Sequence, residues 1–268
     1  MPPNASRMRH VSATGVTVAQ YALANVRRPS LRLALDADAR VWLERVRRDG
    51  YCIVRNFFDA DTCRKASAEL ERVFAAYPAF IHTKSDVRIF GVEAASPLLR
   101  SFYADPRLLS LASATLRAPA LNAFTLGARL DYRPGNLGSG EGWHRDSFVA
   151  QFKALLYLTD VDDRSGPFQL IAASQKLTWL ANDIVQARLG LLQNRVSDEQ
   201  VARLLAGRPE RLRTFSASAG TLLLVDTSAV HRGKPIEVGT RLSLTNYYVE
   251  AYRAGAGMDA HFAPVLRP

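Results

Sequence analysis

Apolar positions first recur at helical spacing along the chain and later switch to short alternating runs. Between Asp38 and Arg48, Val41, Leu43 and Val46 fall at helical intervals, and Gly50 stops the segment. Tyr51 to Phe57 alternates as a strand, and Asp59 or Asp61 then caps a helix that runs to about Ala76. A further helix is predicted over Pro106 to Arg117. From Leu121 onward strands dominate, over residues 121–132, 152–159, 168–171, 211–215, 220–226 and 241–250, bounded by Gly-, Pro- and Asp-rich turns. The fold class this predicts is α+β: a double-stranded β-helix, that is a jelly-roll, cupin-like barrel, flanked by N-terminal helices. One segment breaks the strand series. Leu177 to Leu205 carries Leu177, Leu180, Ile184, Leu189, Leu192, Val201 and Leu205 in a helical pattern. It reads as a helical insertion that closes as a lid over a site, or else as a hairpin that buries an edge or a dimer interface.

Composition narrows the class without changing the fold. The chain has 268 residues, 48% of them hydrophobic, and no periodic repeat, which suits one sizeable core. Residues 1–38 are read as an N-terminal extension and 39–268 as a single domain. The first 35 residues are rich in arginine and free of acids, yet lack an apolar stretch with a small-residue cleavage site, so the extension is expected to pack on the domain. No apolar stretch approaches the roughly 20 residues that a membrane span requires. Cys52 and Cys63 are the two cysteines, which is no disulfide framework, and a reduced, cytoplasmic setting is expected. The net charge of +10 is spread along the chain rather than gathered in runs interleaved with aromatics. Nucleic acid is therefore not an expected partner, and a small-molecule substrate is. Nothing in the pattern selects an oligomeric state.

Candidate chemistry concentrates around His144-Arg145-Asp146. In extended backbone, residues i and i+2 project from one face, so His144 and Asp146 can reach one metal ion while Arg145 points elsewhere. His231, at the end of the apolar run Gly220 to Asp226, supplies a third ligand. Two histidines and one carboxylate on one side of an octahedral ion leave positions open for a cosubstrate and O2, the pattern of non-haem Fe(II) oxygenases. Arg241 begins an alternating strand in which Arg241, Ser243 and Thr245 share a face, and its planar fork suits a cosubstrate carboxylate. Lys153 has the parity of Leu155 and Tyr157 and is a candidate interior cation that meets an anionic ligand; an edge position with its ammonium in water is the other reading. Arg129 presents the same pair of readings.

Several motifs occur together: Arg48-Asp49-Gly50-Tyr51, Trp143-His144-Arg145-Asp146, Gly166-Pro167-Phe168-Gln169-Leu170-Ile171, and Asp226-Thr227-Ser228-Ala229-Val230-His231-Arg232-Gly233 with Arg241. In these the chain resembles the phytanoyl-CoA dioxygenase family of Fe(II)/2-oxoglutarate oxygenases from about Arg40 to Tyr248. It departs from many relatives at Ala172-Ala173-Ser174-Gln175 and at Gly233, neither of which touches a ligand position. The resemblance implies iron held by His144, Asp146 and His231, and 2-oxoglutarate held by Arg241 with support from Ser243. It implies O2 as oxidant, with ascorbate as a candidate reductant, and hydroxylation of a C–H bond of a small anionic or polar substrate with release of succinate and CO2. A halogenase would carry a small residue where Asp146 stands. The reading from a different class is a catalytically silent cupin-like module that binds metal or carboxylate, against which stands retention of both histidines, Asp146 and Arg241.

Overall fold

The computed structural model describes residues 19, 33, 35–190, 192–253 and 264–267. Most of the N-terminal extension expected over 1–38 lies outside them. Helix α1 (Ala37–Asp49) starts where the Asp36 side chain accepts from the Ala39 amide, ends at Gly50 with φ 87°, and buries Ala39, Leu43 and Val46. It leads into β1 (Tyr51–Val54) and α2 (Ala60–Ala76). The cap of α2 is Asp59, which accepts from the Thr62 amide at 2.7 Å, while Asp61 pairs with Arg64 and Lys65 at the surface. The short elements β2 (His82–Thr83), β3 (Val87–Phe90) and α3 (Pro97–Tyr103) follow, and then α4 (Pro106–Leu116), opened by Asp105 and a proline in its first turn.

The second half supplies β4 (Ala120–Asp131), β5 (Phe152–Tyr157), β6 (Phe168–Ile171), α5 (Leu177–Ala187), α6 (Asp198–Leu205), β7 (Leu212–Phe215), β8 (Leu222–Asp226), β9 (His231–Gly233) and β10 (Thr240–Glu250). These strands form two sheets with antiparallel pairings: a seven-stranded sheet in the order β1-β8-β5-β10-β4-β3-β2, and a three-stranded sheet in the order β7-β6-β9. The crossing order is that of the expected jelly roll, with helices on the outside.

Alternation along each strand decides what each face meets. Cys52, Phe152, Ala154, Leu156, Leu222, Leu224, Leu242 and Leu244 turn toward α1 to α4 and share one core with Leu70, Phe102, Leu108 and Leu111. Their neighbours Tyr157, Leu223 and Val225 point the other way and pack on Phe168, Leu170 and Phe215 of the small sheet. The far side of the small sheet is closed by α5 and α6, through Leu180, Ile184, Ala187, Val201 and Leu204 against Ile171, Val230 and Trp143. The insertion is a pair of helices. Arg188 ends α5 in the left-handed region at φ 54°, and a capping box between Ser197 and Gln200 starts α6 afresh.

Candidate metal centre

The segment around His144 is held as an extended strand between two partners. His144 and His231 exchange backbone hydrogen bonds at 2.9 Å in both directions, which extends the small sheet by one strand. On the other side the Arg145 amide donates to the Asn194 carbonyl at 2.8 Å, and the Val196 amide to the Trp143 carbonyl at 3.0 Å. The Asp146 amide donates to the Thr227 carbonyl at 3.0 Å. Because His144 and His231 are directly opposed, their rings stand on one face with centroids 4.3 Å apart.

Each imidazole is oriented by its own backbone. His144 Nδ1 lies 2.9 Å from the Gly142 carbonyl and His231 Nδ1 lies 2.9 Å from the Ala229 carbonyl. A carbonyl only accepts, so both Nδ1 atoms carry the proton and both Nε2 lone pairs face outward, as metal ligation requires. They face Asp146, with His144 Nε2 at 3.5 Å from Oδ1 and His231 Nε2 at 3.9 Å from Oδ2. One donor atom from each of the three residues lies within 4.8 Å of the others. Gly140 presses on this arrangement. It adopts φ +85°, and a Cβ there would stand 2.5 Å from His144 Cε1.

Protonation matches the geometry. Burial, and then the neighbouring His144, pushes His231 down to about 3, so it is neutral. Burial opposes ionisation of Asp146, but the Lys153 charge beside it outweighs this and holds the carboxyl well below its ordinary value. Two imidazoles oriented by backbone carbonyls and one ionised carboxylate converging in this way fit a divalent first-row metal. Lys153 Nζ lies 2.6 Å from Asp146 Oδ2 and 4.1 Å from the centre of the Tyr247 ring. Burial lowers the Lys153 pKa, yet Asp146 and Tyr247 reverse the effect and raise it. Of the two readings for Lys153, the interior position is the one the register produces, since Lys153 pairs with Tyr247 and Val225.

Arg241 and Ser243 follow on the inner face of β10, and both line the cavity that contains His144, Asp146, His231 and Lys153. The cavity measures about 340 Å³. Arg241 is buried, its Nη1 donates to the Gly166 carbonyl, and its Nε has no hydrogen-bond partner among the described residues. Burial lowers its pKa, but a guanidinium keeps its charge across the physiological range. A buried charge without an acidic partner is costly, which is the condition a ligand carboxylate would relieve.

Arg129 does not belong to this set. It pairs with Leu242, on the face opposite Arg241, and its side chain bonds Glu71 at 2.9 Å and Asp131 at 3.0 Å beneath the Phe74 ring. The alternation of β4 is clear in sequence, but which parity faces inward is set by the β4–β10 register. Sequence reasoning also passed over Arg145, whose Nη1 donates to the carbonyls of Ser174 and Ser228, and Arg195, which lines the cavity from the segment between α5 and α6. The signal for Arg145 was its place between two ligands, on the opposite face of the same strand.

The family model of phytanoyl-CoA dioxygenase matches residues 46–237, more than two thirds of the chain. The ectoine dioxygenase of Stutzerimonas stutzeri (strain A1501) is 29% identical over 154 residues, 50% of this chain and 49% of that protein. The ectoine dioxygenase of Sphingopyxis alaskensis is 28% identical over 208 residues, 69% of this chain and 66% of that protein. The chain therefore spans less than two thirds of the length of either relative. Among solved structures, EctD from S. alaskensis with 2-oxoglutarate and 5-hydroxyectoine aligns with TM-score 0.62 and 20% identity, over 84% of this chain and 82% of that one. The epimerase SnoN from nogalamycin biosynthesis, in complex with Fe3+, alpha ketoglutarate and nogalamycin RO, aligns with TM-score 0.59 and 20% identity, over 80% and 84%. At that identity the likeness is one of fold.

Proposed function

The chain belongs to the phytanoyl-CoA dioxygenase family, and from that premise we propose that it is an Fe(II)- and 2-oxoglutarate-dependent dioxygenase that hydroxylates an unactivated C–H bond of a small, anionic or polar substrate. The observation that carries the reading is the convergence of three ligand atoms, His144 Nε2, His231 Nε2 and an Asp146 carboxylate oxygen, in the same cavity as the Arg241 guanidinium, which makes no ion pair among the described residues. Iron bound there, together with 2-oxoglutarate and O2, would supply the oxidising equivalent for the C–H bond and release succinate and CO2.

The chain's own residues supply position and charge. His144, Asp146 and His231 hold the metal, with the imidazole orientation set by the Gly142 and Ala229 carbonyls. Arg241 binds the distal carboxylate of 2-oxoglutarate, and Ser243, the next inward residue on β10, adds a hydroxyl. Lys153 keeps Asp146 ionised and adds positive charge on the cavity wall, which favours an anionic or polar substrate. Asp146 as a full carboxylate ligand favours hydroxylation over halogenation.

The test is succinate release with Fe(II), ascorbate and 2-oxoglutarate across small molecules grouped by charge, ectoine included. Turnover above the uncoupled background supports the reading. A wild-type protein that binds metal or 2-oxoglutarate but releases no succinate above background favours the silent module, and one that binds neither overturns the reading.

A further inference from the structure

His144 is opposed by His231 on one side and by Arg195 on the other, in antiparallel bridges. Directly opposed residues in such pairs project from the same face, with Cβ atoms roughly 4.5–5.5 Å apart. Arg195, His144 and His231 therefore form one row of side chains, and all three line the cavity. The backbone that aims the two histidines at the metal position aims Arg195 at the cavity mouth.

The charges around it are unequal. Arg88 is paired with Asp86, Lys153 with Asp146, and Lys84 lies 3.9 Å from Glu141. Arg241 is assigned to the cosubstrate. Arg195 meets no carboxylate among the described residues: its Nη1 donates to the carbonyls of Gly140 and Glu141, and the rest of the fork makes no bond there. A guanidinium clasped at one nitrogen keeps its remaining donors for a planar anion. The cavity bounds the size of what arrives, since about 340 Å³ is near the lower end of ligand pockets, roughly 300–1,000 Å³, and has to hold the cosubstrate as well.

We propose that Arg195 is the specificity-determining residue that receives a carboxylate on a small substrate, at the cavity mouth beside His144. The proposal rests on the dioxygenase reading for the identity of the site. It identifies the substrate as a small molecule with its carboxylate at one end and its reacting carbon at the other, so that the Arg195–His144 spacing selects which carbon faces the metal.

The experiment uses the full chain loaded with Ni(II) and 2-oxoglutarate, which does not turn over. N-acetylglycine, pyroglutamate and hippurate are titrated by calorimetry, each against its primary amide. The expected result is that at least one acid binds tenfold or more tighter than its amide. In Arg195→Ala that preference falls below twofold through weakening of the acid, Arg195→Lys lies between, and Ni(II) and 2-oxoglutarate affinities stay at wild type. The proposal is overturned if no acid is preferred by the wild type, if Arg195→Ala keeps the preference, or if it weakens acid and amide alike, which is what a clasp on the glycine loop without substrate contact would do. A wild type that fails to take up Ni(II) and 2-oxoglutarate is the separate failure of the dioxygenase reading.

Discussion

Asp183 of α5 and Arg145 of the metal tripeptide are buried against each other, carboxylate to guanidinium at 3.9 Å, with Asp183 also bonded to Arg211 at 3.0 and 3.2 Å. The insertion thereby grips the residue between two metal ligands. Breaking a buried pair by removing one partner costs about 3–5 kcal/mol, because a charge is left uncompensated. Asp183→Ala, which removes the carboxylate shared by Arg145 and Arg211, is expected to lose stability in that range in urea unfolding, and Asp183→Asn less. A loss under about 1 kcal/mol, the worth of an exposed pair, would mean that the contact does not hold the tripeptide.

The insertion is also expected to stay folded without ligand. Leu180, Ile184, Ala187 and Leu204 are buried in a core shared with Trp143 and Val230, so α5 and α6 are expected to behave as a wall rather than a lid. Amide hydrogen exchange of the metal-free protein should show both helices protected, with little change on adding Ni(II) and 2-oxoglutarate. Protection that appears only with ligand would restore the lid.

Gly140 carries a sharper prediction. A methyl group there would stand 2.5 Å from the His144 ring, in a backbone with positive φ. Gly140→Ala should weaken Ni(II) binding roughly 10–100-fold, the usual effect of disturbing a ligand's support, with the fold intact by circular dichroism. Wild-type affinity would show that the loop yields freely.

Arg241→Ala should lose about 2–5 kcal/mol of 2-oxoglutarate binding, as a carboxylate left without its charged partner does. Ser243→Ala should lose roughly 0.5–1.5 kcal/mol, the net worth of a neutral hydrogen bond. Calorimetry on the Ni(II) form measures both. An Arg241 variant with unchanged affinity would transfer the role to Lys153.

How much of this could be read in the sequence follows from the range of each interaction. His144 and Asp146 were legible because their i, i+2 spacing fixes a shared face locally, and Arg241 because its polar face interrupts a strand of core character. The strands of the barrel were legible to within a few residues at their ends. Elements as short as β2, β3 and β9 are too brief to show a period. Arg129 was misplaced because its facing depends on opposing Leu242 rather than Arg241, a register set between strands distant in sequence. Arg195 and Asp183 escaped notice for the same reason: their partners at His144 and Arg145 are reached only after the insertion folds back over the small sheet.

Iron held by His144, Asp146 and His231 beside a 2-oxoglutarate bound at Arg241 would have a distinct optical signature. Anaerobic visible absorption spectroscopy tests it most directly. Adding Fe(II) and then 2-oxoglutarate to the wild type should produce a metal-to-ligand charge-transfer band, and the band should be lost in His144→Ala, Asp146→Ala and His231→Ala, each of which removes a ligand. No band in the wild type, or an unchanged band with full activity in Asp146→Ala, would contradict the assignment.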